Sequence, residues 1–110
     1  MISHDYRRRT SSLNHLQALA DADGRIRWVI SLEDPGVHNW LDGSGAAAGA
    51  ILLRWQQLPW NAQFADAVST ELVKFEDLRA HLPAGTRFVS QAERAAQRDG
   101  RLEGYLTRVR

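Results

Sequence analysis

Residues 34–45 read DPGVHNWLDGSG and form the most distinctive part of the chain. Pro35 fixes its own backbone φ angle and disfavours a helical conformation at Asp34, while the glycines permit backbone angles that other residues avoid. The segment is therefore predicted to be a loop of defined shape between two strand-like segments. Binding and catalytic groups often lie on such loops, although aspartate and tryptophan can also serve only to fold the turn.

Composition indicates one ordinary folded domain. The chain has 110 residues, of which 44% are hydrophobic and 25% charged, and its formal net charge is +1. The only basic run, residues 7–9, is too short for a nucleic-acid-binding face, so we expect no nucleic acid partner. We also expect no membrane insertion, because no apolar run approaches the roughly 18 residues of a membrane span. The absence of cysteine excludes disulfides, cysteine zinc sites and thiol nucleophiles.

Four segments have the pattern or composition of β-strands. Residues 25–32 alternate between apolar side chains and mostly arginine or serine, which is typical of a half-buried strand. The sequence Asp-Ala-Asp-Gly at 21–24 is typical of a hairpin turn in which the glycine adopts a positive φ. That turn predicts an earlier strand at residues 12–19. The remaining strands are predicted at residues 50–58 and 68–75.

The C-terminal part of the chain predicts helical structure. Residues 76–82 read as a short helical turn. Ser90 and Glu93 have the spacing of a capping box, which predicts a terminal helix with Ala92, Ala95 and Ala96 among its apolar positions. Each of the two glycines at 100 and 104 costs about 1 kcal/mol relative to alanine, so the second half of that helix is expected to fray or bend.

Together these elements predict a mostly β fold. We expect an antiparallel sandwich or a jelly-roll-like sheet, which could be incomplete, formed by residues 1–89. A C-terminal α-helix follows at residues 90–110. Four strands would leave an open sheet edge, which proteins generally pair, cover or protect with charge.

Short motifs in a particular order connect the chain to a known family. They are Asp5-Tyr6-Arg7, Ser12-Leu13-Asn14, Asp21-Ala22-Asp23-Gly24, Asp34-Pro35-Gly36, Asn39-Trp40-Leu41-Asp42 and Arg54-Trp55. Over roughly residues 5–82 the chain resembles the C-terminal portion of the bacterial domain-of-unknown-function 1214 family. The resemblance implies a sandwich or jelly-roll domain and brings no established activity. It also implies that the chain is a fragment or that another chain supplies a missing edge, because family members usually have further strands before the first motif.

Several polar and aromatic side chains are candidates for ligand binding. Three of them, Asp34, His38 and Asp42, recur every four residues, a spacing that would align metal ligands on a helix. The Pro-Gly pair at 35–36 opposes a helix there, so we predict turn-forming roles for the aspartates, no metal and no cofactor. The full candidate set is Asp34, His38, Asn39, Trp40, Asp42 and Arg54.

Arginine and tryptophan side chains suggest how the loop is held. Arg54 alternates away from its apolar neighbours and could pair with one of the loop aspartates, which would fix the shape of the loop. Trp28 and Trp55 are predicted to lie in the core. Trp40 and Trp60 could close the end of the sandwich or form a stacking platform for a sugar, a base or an aromatic ring.

Two classes of function follow from these residues. A binding or structural module would use its carboxylates to hold the loop, and this is the class we predict. Part of an enzyme domain would instead apply Asp34, His38, Asp42 and Arg54 to a small carboxylate or sugar-like substrate. The partners predicted for a binding module are a second copy of the chain, an N-terminal part of the same protein, or a small-molecule ligand.

Overall fold

A computed structural model of the chain describes residues 9–14, 16–45, 48–55, 58–63 and 67–109. In chain order, the regular elements within these residues are the strands β1 (Val29–Ser31) and β2 (Trp40–Asp42), a 3-10 helix (Phe75–His81) and the helix α1 (Gln91–Val109). Loops make up most of the remaining described chain. The arrangement of the elements therefore depends mainly on contacts made by loop residues.

The two strands pair in parallel. Val29 lies opposite Trp40, and Ser31 lies opposite Asp42. Residues 32–39 connect the strands, although parallel strands usually need a connection of a dozen or more residues. Gly36 helps this short connection to turn back, because its φ angle of 72° lies in the left-handed region that glycine tolerates. The predicted loop thus contains a strand, β2.

The predicted antiparallel sandwich or jelly-roll is wrong, because the only sheet among the described residues is this one parallel pair. The alternating segment at 25–32 is a strand only from Val29 onward. One reason is that the Arg27 carbonyl accepts a hydrogen bond from Asn39 Nδ2 at 3.0 Å, so a side chain occupies a group that a neighbouring strand would otherwise use. The predicted turn before this segment is confirmed, with a φ of 81° at Gly24.

The other predicted strands do not form in the described parts of their segments. Asn14 Oδ1 accepts the backbone N–H groups of Leu16 and Gln17, both at 2.9 Å, and so folds part of residues 12–19 into a turn. Residues 51–55 alternate in sequence but are all exposed. Alternation stabilises a strand only where a second layer covers its apolar face. Parts of these predictions, together with residues 5–8 of the motifs and the basic run, lie outside the described residues.

The predicted helical elements are confirmed. Ser90 Oγ accepts the N–H of Glu93 at 3.1 Å, and the Ser90 N–H donates to Glu93 Oε1 at 3.2 Å. This capping box satisfies backbone donors that helix geometry leaves unpaired, and α1 begins at the next residue. The fraying predicted for its second half is not observed, because α1 continues through both glycines to Val109. The short helical turn predicted at 76–82 is the 3-10 helix.

The interior is small and partly polar. Among the described residues, the buried ones are Ala18, Val29, Val37 and Trp40, with the polar residues Thr10, Asn39 and Arg94. The accessible surface of the chain is 9141 Å². A compact monomer of 110 residues exposes roughly 6,100 Å². Large apolar side chains contribute to the difference, since Leu52, Trp60 and Leu72 are 87%, 97% and 100% exposed.

Candidate functional site

The distinctive loop is held against α1 by an ion pair between Asp34 and Arg94. Arg94 Nε donates to Asp34 Oδ2 at 2.9 Å, and Nη2 donates to Asp34 Oδ1 at 3.1 Å. Asp34 Oδ1 also accepts the Gly36 N–H at 2.9 Å, which folds the first turn of the loop. The capping box sets where α1 begins and thereby places Arg94 in its first turn. A two-point pair of this kind fixes orientation as well as distance.

Arg94 is completely buried, and its remaining donors also have partners. Nη1 donates to the His38 carbonyl at 3.2 Å and to Gln97 Oε1 at 2.7 Å. Nη2 donates in addition to the Val37 carbonyl. All five N–H groups of the guanidinium are therefore used, which is the condition under which a buried charge is tolerated. The guanidinium carbon also lies 5.1 Å from the centroid of the Trp40 ring, within cation–π range.

The ion pair governs the protonation of Asp34. Partial burial by itself raises the pKa of this carboxyl, but the hydrogen bonds from Arg94 and from the Gly36 N–H favour the ionised form more strongly. The pKa of Asp34 consequently lies below its ordinary value. Asp34 is kept ionised by Arg94 and by the Gly36 N–H, and its role here is to anchor the loop.

Backbone pairing joins the same loop to the segment that precedes α1. The His38 N–H donates to the Arg87 carbonyl at 2.9 Å, and the Val89 N–H donates to the Gly36 carbonyl at 2.8 Å. These bonds form an antiparallel bridge between Val37 and Phe88. The loop is thus fixed at three points: by Arg94, by this bridge and by the pairing of β2 with β1.

Trp40 lies inside the molecule instead of forming an exposed stacking platform. Its indole Nε1 donates to the Ser31 carbonyl at 3.1 Å and to Ser31 Oγ at 2.9 Å, so the polar edge of the buried ring is satisfied. The core positions predicted for two other tryptophans are not both found. Trp28 is half-buried, but Trp55 is 49% exposed.

Asn39 joins three parts of the chain. Its Oδ1 accepts the Leu19 N–H at 2.9 Å, while its Nδ2 donates to the Leu19 carbonyl at 2.6 Å and to the Arg27 carbonyl at 3.0 Å. The buried amide therefore substitutes for a short piece of strand backbone. His38 Nδ1 lies 3.0 Å from Asn39 Oδ1 as well.

Asp42 has a separate structural environment at the far end of the loop. Its Oδ1 accepts the Ser44 N–H at 2.8 Å, and its Oδ2 lies 3.4 Å from Arg9 Nη1. Arg54 pairs with neither loop aspartate, because Arg94 and Arg9 occupy those positions. The expected partnership of Arg54 is therefore wrong. Of the six candidates, the structure brings Asp34, His38 and Trp40 to Arg94, and Asn39 to His38.

The described residues contain no group of three histidine, aspartate or glutamate side chains that could hold a metal ion. A helix of the length and apolar character required to span a membrane is likewise absent from the described parts of the chain. The loop carboxylates instead accept backbone N–H groups and pair with Arg94 and Arg9.

Sequence reasoning missed Arg94, which is the central residue of the site. The alanines at 92, 95 and 96 marked the expected apolar positions of the helix, yet all three are exposed. The more buried face carries Arg94, Gln97, Arg101 and Tyr105, a spacing of three and four residues. The capping box determines where the helix begins, and counting from that residue with a helical period places these four residues on one face. Because these side chains are polar, hydropathy predicts that this face is exposed to solvent.

A shallow cleft of about 170 Å³ adjoins the loop. Its walls include His38, Asn39, Arg27, Thr86 and Arg87. It lies where the antiparallel bridge meets the turn at 21–24, whose Asp21 also lines it. The cleft is therefore formed by the same contacts that fix the loop.

No protein-family model matches the chain, and searches of curated proteins and of solved structures found no match. The resemblance to the domain-of-unknown-function 1214 family stays a prediction from the motifs.

Proposed function

We propose that this chain is a non-catalytic interaction module that associates with a second copy of itself. The observation that carries the proposal is the exposure of large apolar side chains along residues 51–75. We define the apolar segment by its exposed side chains Ile51, Leu52, Leu58, Trp60, Leu72 and Phe75. Isolated exposed apolar residues are normal, but many large ones along one stretch favour an interaction surface.

The size of the exposed surface supports a large interface. The chain exposes 9141 Å², about 3,000 Å² more than the roughly 6,100 Å² expected of a compact monomer. Its radius of gyration of 15.2 Å also exceeds the roughly 13 Å expected for this length. Obligate dimers bury roughly 1,000–2,500 Å² on each subunit. The excess is thus sufficient for an interface at the upper end of that range.

The charges around the apolar segment fit a second copy of the chain. Arg54 and Lys74 are positive, whereas Glu71, Glu76 and Asp77 are negative, and all five are exposed. A twofold interface presents the same patch from both sides, so it requires both signs of charge within that patch. The net charge of +1 adds little repulsion between copies.

The loop chemistry also favours binding over catalysis. Catalytic carboxylates need a free oxygen facing the substrate. Asp34 is engaged by Arg94 and Gly36, and Asp42 by Ser44 and Arg9. An enzyme domain that used these aspartates with Arg54 would first have to break the contacts that hold the loop.

Sedimentation and light scattering over a range of concentrations test the proposal. The wild-type chain should form dimers, and Leu52→Asp should shift it toward monomers because a carboxylate would be buried in the interface. Leu16→Asp is the matched control, since Leu16 is 82% exposed but lies outside the apolar segment. A stably folded wild-type monomer at every concentration, or equal dissociation by both variants, would contradict the proposal.

A further inference from the structure

The cleft beside His38 offers a second kind of surface, independent of the apolar segment. Its volume of about 170 Å³ is close to that of an apolar protein cavity of about 150 Å³ that admits benzene. A ligand of fewer than about ten non-hydrogen atoms would fit on this scale. The side chains that matter for its chemistry are His38 and Arg87.

The antiparallel bridge places these two side chains together. His38 and Arg87 are directly opposed across it, because the His38 N–H donates to the Arg87 carbonyl at 2.9 Å. Directly opposed residues in an antiparallel pair project to the same face, with Cβ atoms roughly 5 Å apart. Both residues line the cleft accordingly.

The surroundings of Asn39 determine which nitrogen of His38 carries a proton. A backbone N–H from Leu19 can be accepted only by the amide oxygen, and the carbonyls of Leu19 and Arg27 can be approached only by the amide nitrogen. The orientation of the Asn39 amide is therefore fixed. Because His38 Nδ1 lies 3.0 Å from the oxygen, Nδ1 must donate the proton in that contact.

The neutral His38 ring is consequently protonated on Nδ1 and carries its lone pair on Nε2. Within the described residues, Nε2 has no hydrogen-bond partner. Nε2 is thus a hydrogen-bond acceptor available to a ligand in the cleft. A group that donates a proton, such as a hydroxyl, suits this position.

The two arginines of the cleft differ in how fully they are paired. Arg27 donates to Asp21 at 2.7 Å and to both oxygens of Asp23, so its charge is neutralised. Arg87 makes a single 3.4 Å contact, to Glu93 Oε2. The other guanidinium donors of Arg87 have no side-chain acceptor among the described residues. Arg87 can therefore accept a carboxylate as an additional partner.

We infer that the cleft binds a small hydroxy acid, whose hydroxyl donates to His38 Nε2 and whose carboxylate pairs with Arg87. A simple carboxylate would satisfy only the arginine, and a neutral alcohol only the imidazole. An amine of the same size would meet a cation at Arg87. The hydroxy acid is the class that complements both groups.

Nitrogen-detected NMR of the intact protein gives the first test, because it reads the tautomer of His38 directly. The expected spectrum shows a protonated Nδ1 and an unprotonated Nε2 in the neutral ring. The opposite tautomer would overturn the inference without any ligand or mutation.

Titration with lactate gives the second test, and propionate is the matched probe that lacks the hydroxyl. Lactate should shift the signals of His38 and Arg87 saturably and bind about tenfold more tightly than propionate, since the hydroxyl adds one hydrogen bond. Arg87→Gln should weaken lactate binding about tenfold or more. Arg108→Gln is the control, because Arg108 does not line the cleft and its side chain donates to the Gly104 carbonyl, at 3.3 Å. Equal binding of the two acids, or unchanged binding by Arg87→Gln, would overturn the inference. Neither result depends on the oligomeric state.

Discussion

Asp34 and Arg94 lie 60 residues apart in sequence and form a two-point ion pair in which the guanidinium is completely buried. The pair joins the start of the distinctive loop to the first turn of α1. Arg94 also donates to the carbonyls of Val37 and His38, so one side chain holds the loop along several residues. This contact explains why the loop carboxylates are structural in the proposed function.

The first prediction concerns acid stability. Since the pKa of folded Asp34 lies below its ordinary value of 3.8, its contribution to the free energy of unfolding is fully present above that value. The contribution is lost as the pH falls through the lower folded pKa. Denaturant melts between neutral and acidic pH should show this loss in the wild type and a weaker dependence in Asp34→Asn. The same acid dependence in both proteins would contradict the role given to the ion pair.

The second prediction distinguishes Trp40 from Trp60, for which the sequence indicates the same two alternative roles. Trp60 is 97% exposed and Trp40 only 6%. In iodide quenching at dilutions where the chain is monomeric, Trp60→Phe should remove an accessible component of the fluorescence, whereas Trp40→Phe should remove a protected one. Trp40→Phe should also lower the free energy of unfolding by about 1–3 kcal/mol, because the hydrogen bonds from the indole N–H to the Ser31 carbonyl and hydroxyl are lost. An accessible Trp40 would show that the ring is not enclosed between the loop and α1.

The third prediction concerns the far end of the loop. Asp42→Ala should lower the free energy of unfolding by about 1–3 kcal/mol, because the Ser44 N–H, on a residue with a φ of 57°, loses its acceptor. Arg54→Ala is the comparison, and it should cost clearly less than Asp42→Ala because Arg54 is exposed and contacts neither aspartate. If Arg54→Ala were as destabilising as Asp42→Ala, the pairing expected from the sequence would be correct after all.

Local rules accounted for the parts of the fold that depend on short-range contacts. The capping box of Ser90 and Glu93, the positive φ of Gly24 and the turn formed by Asp34 all follow from residues within three positions of one another. Each involves a backbone donor or a backbone angle that only certain residues can satisfy. Sequence alone is sufficient for contacts of this kind.

The strands were over-predicted for a different reason. Alternation at 25–32 and 50–58 indicates that one face could be buried, but it does not say whether another layer is present to bury it. Asn39 Nδ2 donates to the carbonyl of Arg27, 12 residues away in sequence, and a neighbouring strand would otherwise have bonded to that carbonyl. Such long-range side-chain contacts leave no periodic signal in the sequence.

The candidate site was partly predictable. Asp34, His38, Asn39 and Trp40 could be proposed because they share one loop, and they do lie around the contacts that fix it. Arg94 could not, because hydropathy assigns a helical arginine to solvent, and only a partner 60 residues away makes its burial favourable. The sequence therefore indicates Arg54, in a neighbouring segment, as the arginine that pairs with the loop carboxylates.

A double-mutant cycle on Asp34→Asn and Arg94→Met tests most directly whether this ion pair holds the loop. Asp34→Asn should cost about 3–5 kcal/mol in the free energy of unfolding, because it leaves the buried guanidinium without its counter-ion. Arg94→Met should cost about 1–3 kcal/mol, because the loop carbonyls lose their donors while the partly exposed Asp34 stays hydrated. The double variant should cost clearly less than the sum, with a coupling of about 1–3 kcal/mol. Glu33→Gln, which changes an exposed neighbouring carboxylate, should show no coupling to Arg94→Met. Additive costs for Asp34 and Arg94 would contradict the account, because they would mean that the loop is held by something other than this pair.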